Sequence, residues 1–147
     1  MNLNKTKIAT NLAENFEREF KNLPVKVLPN NDIIYNEFLI KLNEKTGLWE
    51  LYNLSNYDLI SKFYLKSCAL MAANYYGSYL FNIYRDIKYL DKEYNRHKND
   101  SIYFKHYLYE TTDQDQKVIF LNRLECCSAS ADYYKSKISQ LFKRTFV

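Results

Sequence analysis

The chain has 147 residues, 47% of them apolar and 26% charged, with 21 basic against 17 acidic side chains and a net charge of +4. That length suits a single domain, and so mild a charge is less than a binder dominated by phosphate contacts usually carries. No apolar run nears the ~18 residues of a membrane span, and a chain with only two Gly and two Pro is not built as an all-β or loop-rich fold.

Ile8, Leu12, Phe16, Phe20 and Leu23 recur every three or four residues, opposite Glu14, Glu17, Arg18 and Lys21. This predicts an amphipathic helix over residues 1–23, which Pro24 ends. Residues 24–54 read as a small three-stranded antiparallel meander. Val25 and Val27 lead to a turn at Pro29–Asp32, Ile33 to Leu42 alternate, and Asn43–Gly47 forms a hairpin loop before Leu48–Tyr52.

Ser55 and Asp58 then stand in capping-box register, and a helix is predicted from there to about Asn95, its stripe running through Phe63, Leu70 and Ala73 and then Leu80, Ile83, Ile87, Leu90 and Tyr94. Arg96–Asp100 reads as a polar break and Ser101–Tyr109 as a short helix. A second cap at Thr112 and Asp115 opens the last helix. There Phe120, Leu124, Cys127, Ala131, Tyr134, Ile138 and Leu141 step by four and three. A connection near residue 103 would place Cys68–Gly77 opposite Cys127–Ala131, where small side chains allow close approach. The expected fold is α+β, mostly α, in one domain over residues 1–147. It comprises an N-terminal helix (1–23), the meander (24–54) and a long antiparallel helical hairpin with a short helix at its bend (55–147).

Chemistry-bearing motifs are sparse. The chain holds no GxGxxG, P-loop, GxSxG or HExxH. Cys68 stands alone, and Cys126 and Cys127 are contiguous, which is not zinc-ligand spacing. Neighbours on a helix point about 100° apart, so Cys126 and Cys127 are poorly placed to bond each other, and reduced thiols are expected. His97 and His106 read as separate surface histidines. Asp86, Asp91 and Glu93 among Arg85, Lys88 and Lys92 read as a solvated helix face. No catalytic residue, cofactor, metal or small-molecule substrate is expected.

Two groups remain as candidate contacts. Lys135, Lys137, Lys143 and Arg144, interleaved with Tyr133, Tyr134 and Phe146, could meet nucleic acid, although cations near a helix C-terminus also complement its dipole. Trp49, Tyr52 and Tyr57 could mark a partner surface, although a lone Trp in a small sheet usually anchors the core.

The run from Leu23-Pro-Val through Gly47-Leu-Trp-Glu, the stretch Leu65–Ala73 and the ending Phe142-Lys-Arg-Thr-Phe146 resemble small uncharacterised proteins of marine phages. The resemblance implies a phage or environmental source and brings no activity with it. An AT-rich genome would account for part of the 15 tyrosines. With no apolar h-region in Met1–Lys5, a cytoplasmic location is expected. The functional expectation is a non-enzymatic interaction or assembly protein that self-associates as a homo-oligomer. The alternative is a nucleic-acid-binding accessory protein using the basic C-terminal face.

Overall fold

The computed structural model describes residues 25–77 and 81–146; the helix expected over residues 1–23 lies outside them. Strands β1 (Lys26–Val27), β2 (Ile33–Tyr35), β3 (Phe38–Asn43), β4 (Leu48–Asn53) and β5 (Leu59–Phe63) pair in sequence order as one antiparallel meander. Each turn between the first four strands has a local cause. Asn31 and Asn36 take the left-handed conformation, which asparagine tolerates, at φ of 70° and 53°. Gly47 does so at 74° and closes the β3–β4 loop by donating its N–H to the Asn43 carbonyl.

The sheet has five strands, not three. The Asn36 turn divides the run from Ile33 to Leu42 into two strands, and residues 54–63 do not begin a helix. The Asn53 side chain accepts hydrogen bonds from the Ser55 N–H and hydroxyl, and the Asn56 side chain accepts from the Asp58 N–H. These short polar side chains stabilise a turn, so Ser55 and Asp58 are not a capping box. In β5, Phe63 pairs with Trp49 and Lys62 with Glu50, placing Phe63 on the core face and Lys62 on the other. Period two therefore overrides the helical reading here.

Helix α1 (Lys66–Tyr75) follows and is buried almost all round. Ser67 through Ala73 are covered, because α1 touches β3, β4 and β5 on one side and the two long helices on the other. Cys68, Ala69, Ala72 and Ala73 are small enough to let both layers approach. Gly77, with φ at 73°, ends the element just beyond Tyr76.

Helices α2 (Phe81–Glu110) and α3 (Gln114–Phe146) form the antiparallel hairpin. At 30 and 33 residues they are about 45 and 50 Å long. No break occurs at Arg96–Asp100, and no separate short helix exists at the bend; α2 runs straight through. The turn is at residues 111–113, and Asp113 caps α3 by accepting from the Asp115 N–H at 2.9 Å. With its centre near residue 112, this turn puts Ala131 opposite Glu93–Tyr94, not opposite Cys68–Gly77. The pairs Phe104–Phe120 and Tyr89–Tyr134 fit that register. On α3 the stripe Phe120, Leu124, Cys127, Ala131, Tyr134, Ile138, Leu141 does face inward, with Ala131 and Ile138 buried.

Candidate functional site

Asp91 lies on α2 between Ile87 and Tyr94, at core-facing spacing, and is 2% exposed. It is not part of the solvated face expected from its charged neighbours. Its carboxylate accepts the backbone N–H of Tyr64 at 2.7 Å and of Leu65 at 2.9 Å. Leu65 is the N-cap of α1 and has no side-chain oxygen to offer, so the cap comes from a different helix. Burial pushes the Asp91 carboxyl up to about 7, against the pull of the two amides, the Cys68 thiol and Lys88. Burial likewise pushes the Cys68 thiol well up, which makes it a poor nucleophile. Asp91 and Cys68 therefore form a buried structural knot, with the half-buried Lys88 at its rim.

Above this knot two open clefts adjoin at Tyr89. The first, about 340 Å³, is lined by Leu48, Lys62, Tyr64, Lys88, Tyr89, Asp91 and Lys92. Lys88 is half-buried, donates to the Lys62 carbonyl and sits 4.5 Å over the Phe63 ring. Desolvation holds its ammonium below the usual lysine range. The second cleft, about 460 Å³, lies between α2 and α3, with Asp86, Tyr89, Tyr133, Tyr134, Lys137 and Arg144 among its walls. The Tyr89 and Tyr134 rings meet edge to face at 6.2 Å, Tyr133 and Tyr134 at 5.3 Å, and Lys137 lies 5.5 Å over Tyr133.

The four C-terminal cations are thus divided. Lys137 and Arg144, seven residues apart on one helix face, line the second cleft. Lys135 and Lys143 point elsewhere, about 200° and 120° round α3 from Lys137, and line neither cleft. Lys62, Lys88 and Lys92 come from β5 and α2 instead, a grouping that linear spacing could not suggest.

Trp49, Tyr52 and Tyr57 do not form one surface. Trp49 faces the core and is buried, with Lys66 5.6 Å from its ring. Tyr52 lies on the other face of β4 and donates to Glu50 at 2.8 Å. Tyr57 is exposed in the β4–β5 turn. The histidines are also separate: His97 lies 3.5 Å from Glu93 and stacks on Tyr134, while His106 lies 3.4 Å from Glu110. Among the described residues no group of three His, Cys, Asp or Glu side chains could hold a metal ion, and no helix is long and apolar enough to cross a membrane.

The far end of the hairpin differs from its base. Beyond Ser101 on α2 and before Ala131 on α3 no residue is buried. Tyr103, Tyr107, Val118, Ile119 and Leu121 are 41–59% exposed there. Phe120 occupies the seam, stacked on Tyr107 at 5.7 Å. Val118, Ile119 and Leu121 lie about 100° or 200° round the helix from it, so the single turn Val118–Leu121 is apolar on every side, between Gln114–Lys117 and Asn122–Arg123. No family model, curated protein or solved structure matches this chain.

Proposed function

We propose that this protein is a non-enzymatic assembly module that self-associates through the far half of its helical hairpin. The observation that carries this reading is the exposed apolar girdle of Val118, Ile119 and Leu121 with Tyr103 and Tyr107. An apolar turn such as Val118–Leu121 is ordinarily enclosed, and α2 covers only one side of it. A second hairpin laid against the first would enclose it as a four-helix bundle.

Charge allows a second copy as the occupant. Over residues 98–130, Lys98, Lys105, Lys117 and Arg123 stand against Asp100, Glu110, Asp113, Asp115 and Glu125. Four cations and five anions leave this half close to neutral, so a second copy is not repelled from it. The size is also adequate. From Gln114 to Ser130 the helix runs about 25 Å, and two helices side by side are about 20 Å wide, giving about 500 Å² of face per copy. That is near the lower bound for a specific interface, so dissociation in the micromolar range is expected.

Light scattering at micromolar concentration should return a mass near a multiple of 17.7 kDa. The double variant Val118→Glu with Leu121→Glu should return the monomer mass while keeping its helical circular dichroism. A wild-type monomer at about 100 μM would overturn the proposal. So would an oligomer that the double variant leaves intact.

A further inference from the structure

Nothing in the assembly reading uses the two clefts at the base of the hairpin. They differ from the far half in composition. Five cations, Lys62, Lys88, Lys92, Lys137 and Arg144, line the pair against Asp86 and the buried Asp91. Asp91 is engaged by two backbone amides at the floor of its cleft. Lys92, Lys137 and Arg144 make no ion pair with a carboxylate among the described residues. Tyrosines stand between these cations: Tyr64 in the first cleft, Tyr89 in both, and Tyr133 and Tyr134 in the second.

We infer that the adjoining clefts form a binding trench for single-stranded nucleic acid, with phosphates on the cations and bases against the tyrosine rings. Cations that track a backbone, interleaved with aromatic faces, are the arrangement by which single strands are held without sequence preference. A duplex keeps its base faces stacked inside, so the tyrosines would add nothing to duplex binding. An acidic peptide would use the cations but leave the rings idle. Length argues against a mononucleotide: from Tyr133 to Arg144 the second cleft alone follows α3 for about 17 Å. The strand would cross from β5 and α2 to α3 at Tyr89, whose hydroxyl lies 3.5 Å from that of Tyr134.

The mild net charge of the whole chain is no obstacle, because the balance is uneven. The far half of the hairpin carries four cations against five anions, which leaves the excess of positive charge elsewhere in the chain. The trench is also independent of the assembly face, which lies beyond Ser101 and before Ala131.

The experiment is fluorescence anisotropy of the full chain with a labelled oligothymidylate of about ten nucleotides, repeated over a range of salt. Three to five phosphate contacts predict a log–log salt slope between about -2 and -3.5 for a single strand. The triple variant Lys92→Gln, Lys137→Gln, Arg144→Gln should weaken binding by about tenfold or more and flatten the slope by about 2. The double variant Tyr89→Leu, Tyr134→Leu should weaken it by about tenfold or more with the slope unchanged, because stacking releases no counterions. Lys135→Gln with Lys143→Gln, two cations outside the trench, should leave affinity within about twofold. Four results would each overturn the inference. They are no binding at about 100 μM protein in low salt, equal loss in the two charge variants, equal affinity for a duplex of the same length, and equal competition by polyglutamate. The Val118→Glu, Leu121→Glu variant should bind with the same salt slope, so failure of assembly and failure of the trench are read separately.

Discussion

At the scale of the residue, Asp91 ties stability to pH. It caps α1 from α2 while shut away from water, and the burial raises its carboxyl to about 7 from a usual 3.8. The groups facing it are Lys88 on its own helix and Cys68 on α1, with the Tyr64 and Leu65 amides ahead of α1. Because its folded-state pKa is raised, the folded protein keeps a proton that the unfolded chain has released. The associated stability is fully present below about 4 and is lost as pH rises to about 7, by at most about 4 kcal/mol. Urea denaturation between about pH 4 and 8 should show this decline, and Asp91→Asn should flatten it. Superimposable profiles for the two proteins would show that Asp91 is ionised when folded. Asp91→Ala is a different change, since it leaves the Tyr64 and Leu65 amides without acceptors; it should cost about 2–5 kcal/mol near pH 4 and less near pH 8, where the wild type has lost the contribution of the protonated Asp91.

At the scale of the element, α1 is the keystone and the start of α3 is the loose end. A ten-residue helix is too short to be stable alone in water, so α1 depends on the layers that enclose it. Its fully covered alanines tolerate no added volume: Ala69→Leu or Ala72→Leu should overpack the junction and cost about 1–3 kcal/mol in denaturant titrations. The matching change Ala129→Leu, at an exposed position on α3, should be nearly neutral. An equal cost at all three sites would mean that packing around α1 is not the cause. The β5 strand makes the same point about context. Leu59-Ile-Ser-Lys-Phe63 is too short for periodicity to separate strand from helix, and hydrogen bonding to the free edge of β4 decides it.

At the scale of the whole molecule, the two ends of the hairpin present different surfaces. Its base packs on α1 and the sheet and presents the lysine and tyrosine clefts. Its far half projects past the core with apolar side chains facing outward. If that half closes on a second copy, folding and association are linked, and thermal stability must depend on protein concentration. The expected outcome is a melting temperature that rises with concentration over about a hundredfold range and stays constant in the Val118→Glu, Leu121→Glu variant. Constancy in both would separate folding from assembly and remove the energetic reason for self-association.

Much of this architecture is written in short-range pattern. Antiparallel strands within residues 24–54 follow from alternation and from turn-forming residues such as Gly47, though not their number, which is four there with a fifth at Leu59–Phe63; the inward stripe of α3 follows from its steps of three and four. The absence of familiar catalytic motifs is likewise a property of the linear chain. Which side chains meet is not, because a periodic stripe has no preferred partner until the turn is placed. Moving the bend from near residue 103 to residues 111–113 changes the opposite number of Ala131 from the Cys68–Gly77 run to Glu93–Tyr94. It also converts residues 55–77 from half of the hairpin's first arm into a strand and a buried helix. Only that three-dimensional arrangement takes Asp91 out of water and separates Lys137 and Arg144 from Lys135 and Lys143. It also sets Lys62 and Lys88 beside Tyr89, because desolvation and proximity are properties of packed layers and leave no periodic trace in a single helix.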